Sequence, residues 1–161
     1  MTSEELYNPA SDFLQMVIAD EITFEGEFGE QNLARLIALT TDNEKSNRDW
    51  ATMLLAQMEL QRPDVISALL AAAEDADIDV RSEAILGIAL LNRELALPLV
   101  QRELGQDRVQ AQIFEAAEKL ADPSLVDDLE DFQNPSDSNF VDATAGRALI
   151  ACKSAQERTN S

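Results

Sequence analysis

The sequence predicts an all-α stack of helix pairs, and three observations carry that prediction. Apolar residues recur at steps of three and four along most of the chain. The same apolar pattern returns after about 30 residues, the period of a helix–turn–helix repeat. Each copy is followed by a short turn and a second apolar segment, and no strand-like alternation is long enough to compete with helix. With 161 residues, 45% of them apolar, the chain is long enough to bury one continuous core.

The elements follow in chain order. Ser11 or Asp12 caps a first helix that runs to about Ala19 and carries Phe13, Leu14, Val17 and Ile18. A second helix is predicted from about Glu30 to Leu39, with Leu33, Leu36 and Ile37 inward and Arg35 as its lone base. Between them, residues 22–29 read as an acidic, aromatic, glycine-punctuated loop. The clearest repeat helix spans Asp79 to Leu91, its apolar face made of Val80, Ala84, Gly87, Ile88 and Leu91. Arg48, Ala51, Leu55 and Ala56 stand 33 residues before Arg81, Ala84, Ile88 and Ala89. Val109, Ile113, Ala116, Ala117 and Leu120 stand 29 residues after Val80, Ala84, Gly87, Ile88 and Leu91. A weaker fourth copy begins near Phe140 with Val141, Ala145, Ala148 and Leu149.

The second segments open around Pro63, Pro98 and Pro123, which suits the first helical turn, where a missing N–H costs nothing. Asp64, Asp127 and Asp128 lie in or near that turn, where the helix dipole favours negative charge. Ala51, Ala84 and Gly87 are small, as close helix crossings require. Arg48 and Arg81 occupy equivalent places after a turn, within reach of acids such as Asp49, Asp77 or Asp79, and read as an ion-pair ladder between repeats. The polar residues 156–161 read as a frayed tail.

The pattern Asp-x-Asp-Val-Arg-x-x-Ala-x-x-Gly-x-Ala, from Asp77 to Ala89, resembles the first helix of a HEAT repeat. It is most similar to the HEAT-like class first described in phycobilin lyases. The resemblance covers about Asp42 to Leu129 well and the flanks weakly. It implies a right-handed α-solenoid, a HEAT-like or armadillo-type superhelix of about four to five helix pairs, with second helices lining its concave side. Residues 1–155 are then one domain. Its clearest repeats are 42–74, 75–106 and 107–133, its weaker flanks 10–41 and 137–155, and the tail is 156–161. Members of this family are mostly protein-binding scaffolds, and a minority help attach bilin chromophores to light-harvesting proteins.

Composition removes several function classes. Lys and Arg number 12 against 31 Asp and Glu, a net charge of −19, so phosphate backbones and anionic lipid surfaces are repelled. There is no histidine, which excludes His-based triads and His-ligated metals, and the single Cys152 forms no internal disulfide or cysteine cage. Asp75-Ala76-Asp77-Ile78-Asp79 resembles the start of a calcium loop, but Val80 stands where the sharp-turn glycine belongs and Leu86 where the bidentate Glu belongs. These acids read as turn and capping residues. Adjacent acids such as Asp127 and Asp128 form a solvated helix face rather than a catalytic pair, and Trp50 and Cys152 read as packing residues. No catalytic residue, cofactor or metal is expected. No apolar run has the length of a membrane span and the N-terminus has no signal-peptide pattern, so a cytoplasmic monomer is the expectation.

Charge is concentrated at the two ends. Ten acids lie between Met1 and Glu44 against Arg35 alone, and seven lie between Lys119 and Arg147 with no base. Tyr7, Phe13, Phe24 and Phe28 accompany the first group, Phe132 and Phe140 the second. Aromatic anchors ringed by charge suit a steered protein interface. The expectation is a non-catalytic module binding a basic protein, in the manner of an immunity protein or antitoxin covering a nuclease's cationic cleft. The candidate contact residues are Asp127, Asp128, Asp131, Phe132, Phe24, Phe28 and Gln101. The alternative, implied by the repeat class, is a bilin-lyase-like subunit or light-harvesting-associated scaffold.

Overall fold

The computed structural model describes residues 7–160, which hold nine α-helices and one short 3-10 turn. The first pair is α1 (Asp12–Ile18) and α2 (Gly26–Leu39). Ser11 caps α1, its Oγ accepting the Leu14 N–H at 3.3 Å. Helix α2 begins four residues earlier than the sequence pattern predicts, so the expected loop over 22–29 ends at Glu25. Two glycines explain the difference. Gly26, at φ +69°, swings the chain into the helix, a geometry that costs other residues strain. Gly29 lies so close to the Phe24 backbone that a Cβ there would overlap the Phe24 carbonyl. Glycines that read as loop punctuation are here what lets Phe24 fold back over the first turn of a helix.

Three repeats and a final helix follow. They are α3 (Lys45–Gln57) with α4 (Pro63–Ala72), α5 (Ile78–Leu91) with α6 (Arg93–Leu104), and α7 (Ala111–Leu120) with α8 (Val126–Glu130). The 3-10 turn Pro123–Leu125 leads into α8, and α9 spans Asn139–Asn160. Pro63 and Pro123 sit in the first turn as expected. Pro98 does not: α6 starts at Arg93, and the proline falls in its interior. Asn92 is the reason, since its Oδ1 accepts the Leu95 N–H at 3.1 Å and starts the helix early. Pro98 is exposed, so the Glu94 carbonyl it leaves unbonded can face water. The stretch expected as a frayed tail is helical as far as Asn160 and forms the last turns of α9.

First helices form the tight layer. Helix α3 packs on α5, α5 on α7 and α7 on α9, while α4, α6 and α8 pack back on that row and only slightly on one another. Ala51, Ala84, Ala116, Ala117, Ala145 and Ala148 are all buried along it. At Gly87 a Cβ would lie 2.6 Å from the Ala56 Cβ, so only glycine permits this α3–α5 crossing.

Of the ion-pair ladder expected between repeats, the Arg48 rung crosses to the next repeat, whereas the Arg81 rung closes within its own, and both use other acids than expected. Arg48 Nε bonds Asp75 at 2.9 Å, and Arg81 Nε bonds Glu103 at 2.9 Å. Each arginine also uses Nη1 to hold the two turn carbonyls five and six residues before it: Asp42 and Asn43 for Arg48, Asp75 and Ala76 for Arg81, at 3.1–3.2 Å. Asp77 caps α5, accepting the Asp79 N–H at 2.9 Å. Asp49, Asp77 and Asp79 are therefore not the ladder's partners.

Candidate partner-binding surface

Most cations are engaged inside the stack, and this shapes the surface. Arg62 bridges Glu30 and Asp64 at 2.7 and 3.0 Å, and Arg93 bonds Asp122 at 2.9 Å. Arg102 reaches Glu74 at 2.7 Å and Glu103 at 3.1 Å. Arg147 meets Glu118 at 3.6 Å and Lys153 meets Glu130 at 3.2 Å. Arg35 stacks over the Phe13 ring, 4.4 Å from its centroid. Apart from the pair to buried Glu103, these exposed pairs contribute about 0–1 kcal/mol each. Their larger consequence is electrostatic: the bases are tied to particular carboxylates, and the remaining acids carry the net charge outward.

Two clefts carry part of that excess, one of them between α3 and α5. That one lies on the first-helix layer, about 190 Å³ in volume, lined by Tyr7, Asp49, Trp50 and Met53 with Glu83 opposite. Helix α3 supplies Asp49, Trp50 and Met53, and α5 supplies Glu83. Tyr7 stacks on Trp50 with centroids 6.4 Å apart and planes 22° apart, and Trp50 Nε1 donates to the Tyr7 carbonyl at 3.1 Å. Burial pushes Asp49 above its ordinary carboxylate range, though a hydrogen bond from Tyr7 works against it. Burial does the same to Glu83, against a 2.8 Å hydrogen bond from Gln112 Nε2, and the nearby charges of Asp49, Glu115 and Asp79 add to the rise. Lys45 is the nearby cation, but it faces Asp79 at 2.8 Å and Asp77 at 3.7 Å. Its ammonium is held above its usual range chiefly by the Asp79 hydrogen bond.

A second cleft lies at the other end, between α7, α9 and the segment joining α8 to α9. Phe114, Phe132, Val109 and Val141 form its apolar floor, with Asp107, Asp131 and Asp142 at the rim. Here the structure brings two of the sequence candidates together. Asp131 is exposed at the rim, while Phe132 is half-buried and packs edge-on against Phe114 at 5.2 Å and 69°. Asp127 is exposed and Asp128 half-buried on α8. Gln101 is exposed on α6, with Nε2 donating to Ser124 Oγ at 3.3 Å. The other two lie at the opposite end of the stack: Phe24 is half-buried against the core and Phe28 is 73% exposed on the first turn of α2. The seven candidates thus form two separated groups.

Sequence reasoning missed Asp49 and Glu83, although the repeat register held a signal. By the same offsets that align the repeats, Trp50, Glu83 and Gln112 occupy one equivalent position on α3, α5 and α7. A polar or aromatic row at one repeat position marks a continuous outward ridge.

This layered stack of helix pairs is an α-solenoid of the HEAT-repeat class. Residues 33–111 match the family of HEAT repeats, which fits the α-solenoid fold. Among solved structures it is similar to the X-ray structure of YibA from Escherichia coli, with a TM-score of 0.56 and 20% identity. That match covers 86% of this chain and 54% of the other, so this chain spans about half of YibA's length. At that identity the likeness concerns the fold. No curated protein sequence matches the chain. HEAT repeats generally mediate protein–protein interaction and are typically non-catalytic. Among the described residues, no helix is long and apolar enough to cross a membrane.

Proposed function

We propose that this protein is a non-catalytic binding module whose acidic surface captures a basic protein, in the manner of an immunity protein or antitoxin that covers the cationic cleft of a nuclease. One observation carries the reading: with a net charge of −19, the chain holds most of its few cations in internal latches, and the excess acid is turned toward solvent. Such a field steers a basic partner and suppresses anionic ones, and it brings association toward about 10⁸–10⁹ M⁻¹s⁻¹ at low salt. The exposed acids Asp127 and Asp131, with Asp128, remain the proposed contacts at the C-terminal end, beside the Phe132 cleft. The bilin-lyase-like alternative rests on the repeat class alone, and no residue of the structure adds to it.

The test is capture of proteins from the source cell on the immobilised chain, identification by mass spectrometry, and association kinetics of the retained protein from low to high salt. The reading predicts a basic partner whose association slows steeply with salt, and further when Asp127, Asp128 and Asp131 are changed to Lys. It also predicts that a nuclease partner loses activity on binding. An acidic partner, or an association rate indifferent to salt and to the charge reversal, contradicts it.

A further inference from the structure

We propose that the cleft between α3 and α5, walled by Tyr7, Trp50 and Met53 and flanked by Asp49 and Glu83, receives a single lysine or arginine side chain projecting from the partner. The inference deepens the basic-partner reading and rests on it.

Three independent features converge there. First, the walls match a long cationic side chain: Met53 and the stacked Tyr7 and Trp50 rings cover an aliphatic stem, and aromatic rings attract a cation. The chain already shows this, since Lys45 Nζ lies 5.6 Å from the Tyr7 ring centroid. Secondly, the two half-buried carboxylates have no ion-pair partner among the described residues. Asp49 is bonded by the neutral Tyr7 hydroxyl and Glu83 by the neutral Gln112 amide. The other charged groups around them among the described residues are acids or already engaged: Lys45 holds the α5 cap Asp77 and Asp79 and only eases the Asp49 charge from a distance, and Glu115 on α7 adds negative charge. Thirdly, the occupant's chemistry is narrowed, because among the described residues no group of three or more acids is placed to hold a metal ion. A guanidinium or ammonium needs no such cage: two carboxylates and an aromatic wall suffice. Burial holds both carboxylates above their ordinary range, so an arriving cation replaces water lost to burial with a direct counter-charge.

The experiment uses the one tryptophan of the chain, Trp50, as reporter. The full chain is titrated with acetylated octa-arginine at low salt, read by Trp50 emission and by calorimetry. Two variants are titrated alongside: the isosteric pair Asp49→Asn with Glu83→Gln, and the triple Asp127→Asn, Asp128→Asn, Asp131→Asn, with circular dichroism confirming that both fold. The proposal predicts a saturable change in Trp50 emission. It predicts affinity about tenfold weaker in the cleft pair, and less than about threefold weaker in the α8 triple despite its larger loss of charge. If both variants weaken binding equally, or only the triple does, the basic-surface reading survives and the cleft is not the receptor. If calcium chloride at matched ionic strength produces the same emission change, the occupant is not a side chain and the proposal fails. Absence of both heat and emission change overturns the proposal together with the reading beneath it.

Discussion

Glu103 and Glu83 lie on neighbouring helices of one repeat and are treated in opposite ways. Glu103, 3% exposed, receives Nε of Arg81 at 2.9 Å and Nε of Arg102 at 3.1 Å. Glu83, half-buried on the face of the first-helix layer, receives one neutral amide at 2.8 Å and no cation among the described residues. The first is what a buried carboxylate needs in order to be tolerated. The second is a carboxylate left to be satisfied from outside. The difference shows how an acid-rich repeat protein separates its tasks: Arg81 and Arg102 tie the two helices of one repeat together through Glu103, while Glu83 on the outer face of α5 has no direct counter-charge among the described residues.

Breaking the compensated side has the largest effect. Glu103→Ala leaves two guanidiniums facing a half-emptied site and is expected to cost about 3 kcal/mol, a fall in Tm on the order of 10 °C in a thermal melt. A change below about 1 kcal/mol means that the two arginines find solvent without loss, and the latch is then unimportant. Gly87→Ala follows. The added methyl meets Ala56 on α3, and overpacking outweighs the gain in helix propensity, for a net loss of about 1 kcal/mol in urea unfolding. A stabilised variant shows that α3 and α5 do not cross so closely.

The two kinds of carboxylate also respond to pH with opposite sign. Asp64, held low chiefly by its hydrogen bond from Arg62, and Asp122, held low chiefly by Ser124, stabilise the fold at neutral pH, and that contribution is lost as pH falls through their folded range. Asp49 and Glu83 are raised instead. Their folded forms bind protons more tightly than the unfolded chain does, so lowering the pH from neutral relieves a cost before the latches begin to fail. Urea midpoints measured across that interval are expected to rise first and then fall. In the Asp49→Asn, Glu83→Gln pair the initial rise disappears; its persistence assigns the effect to other groups. The smallest effect is that of Glu83→Gln alone at neutral pH, a slight gain in Tm, whereas a loss means that Glu83 is already compensated.

The helical layer was legible in the sequence because core-facing positions on first helices repeat with little variation: Ala51, Ala84 and Ala116 mark the crossings directly. Boundaries set by single side chains were less legible. Gly26 and Gly29 look like loop residues until Phe24 is seen lying against the helix they open, and Asn92 outranks Pro98 as the start of α6 only because Leu95 lies within reach of its cap. The acids of α8 were visible as local charge density. The α3–α5 cleft was not, since Asp49 and Glu83 are 34 residues apart and become neighbours only when one repeat stacks on the next.

The central claim is that Asp49 and Glu83 form no direct ion pair among the described residues, and that Lys45, bound to Asp79, eases the Asp49 charge only from a distance. Site-resolved carboxyl titration by NMR tests it directly. The account predicts that both residues titrate above the ordinary carboxylate range in the free protein and fall toward or below it when octa-arginine is bound. Titration at or below the ordinary range in the free protein, unmoved by the peptide, would contradict it.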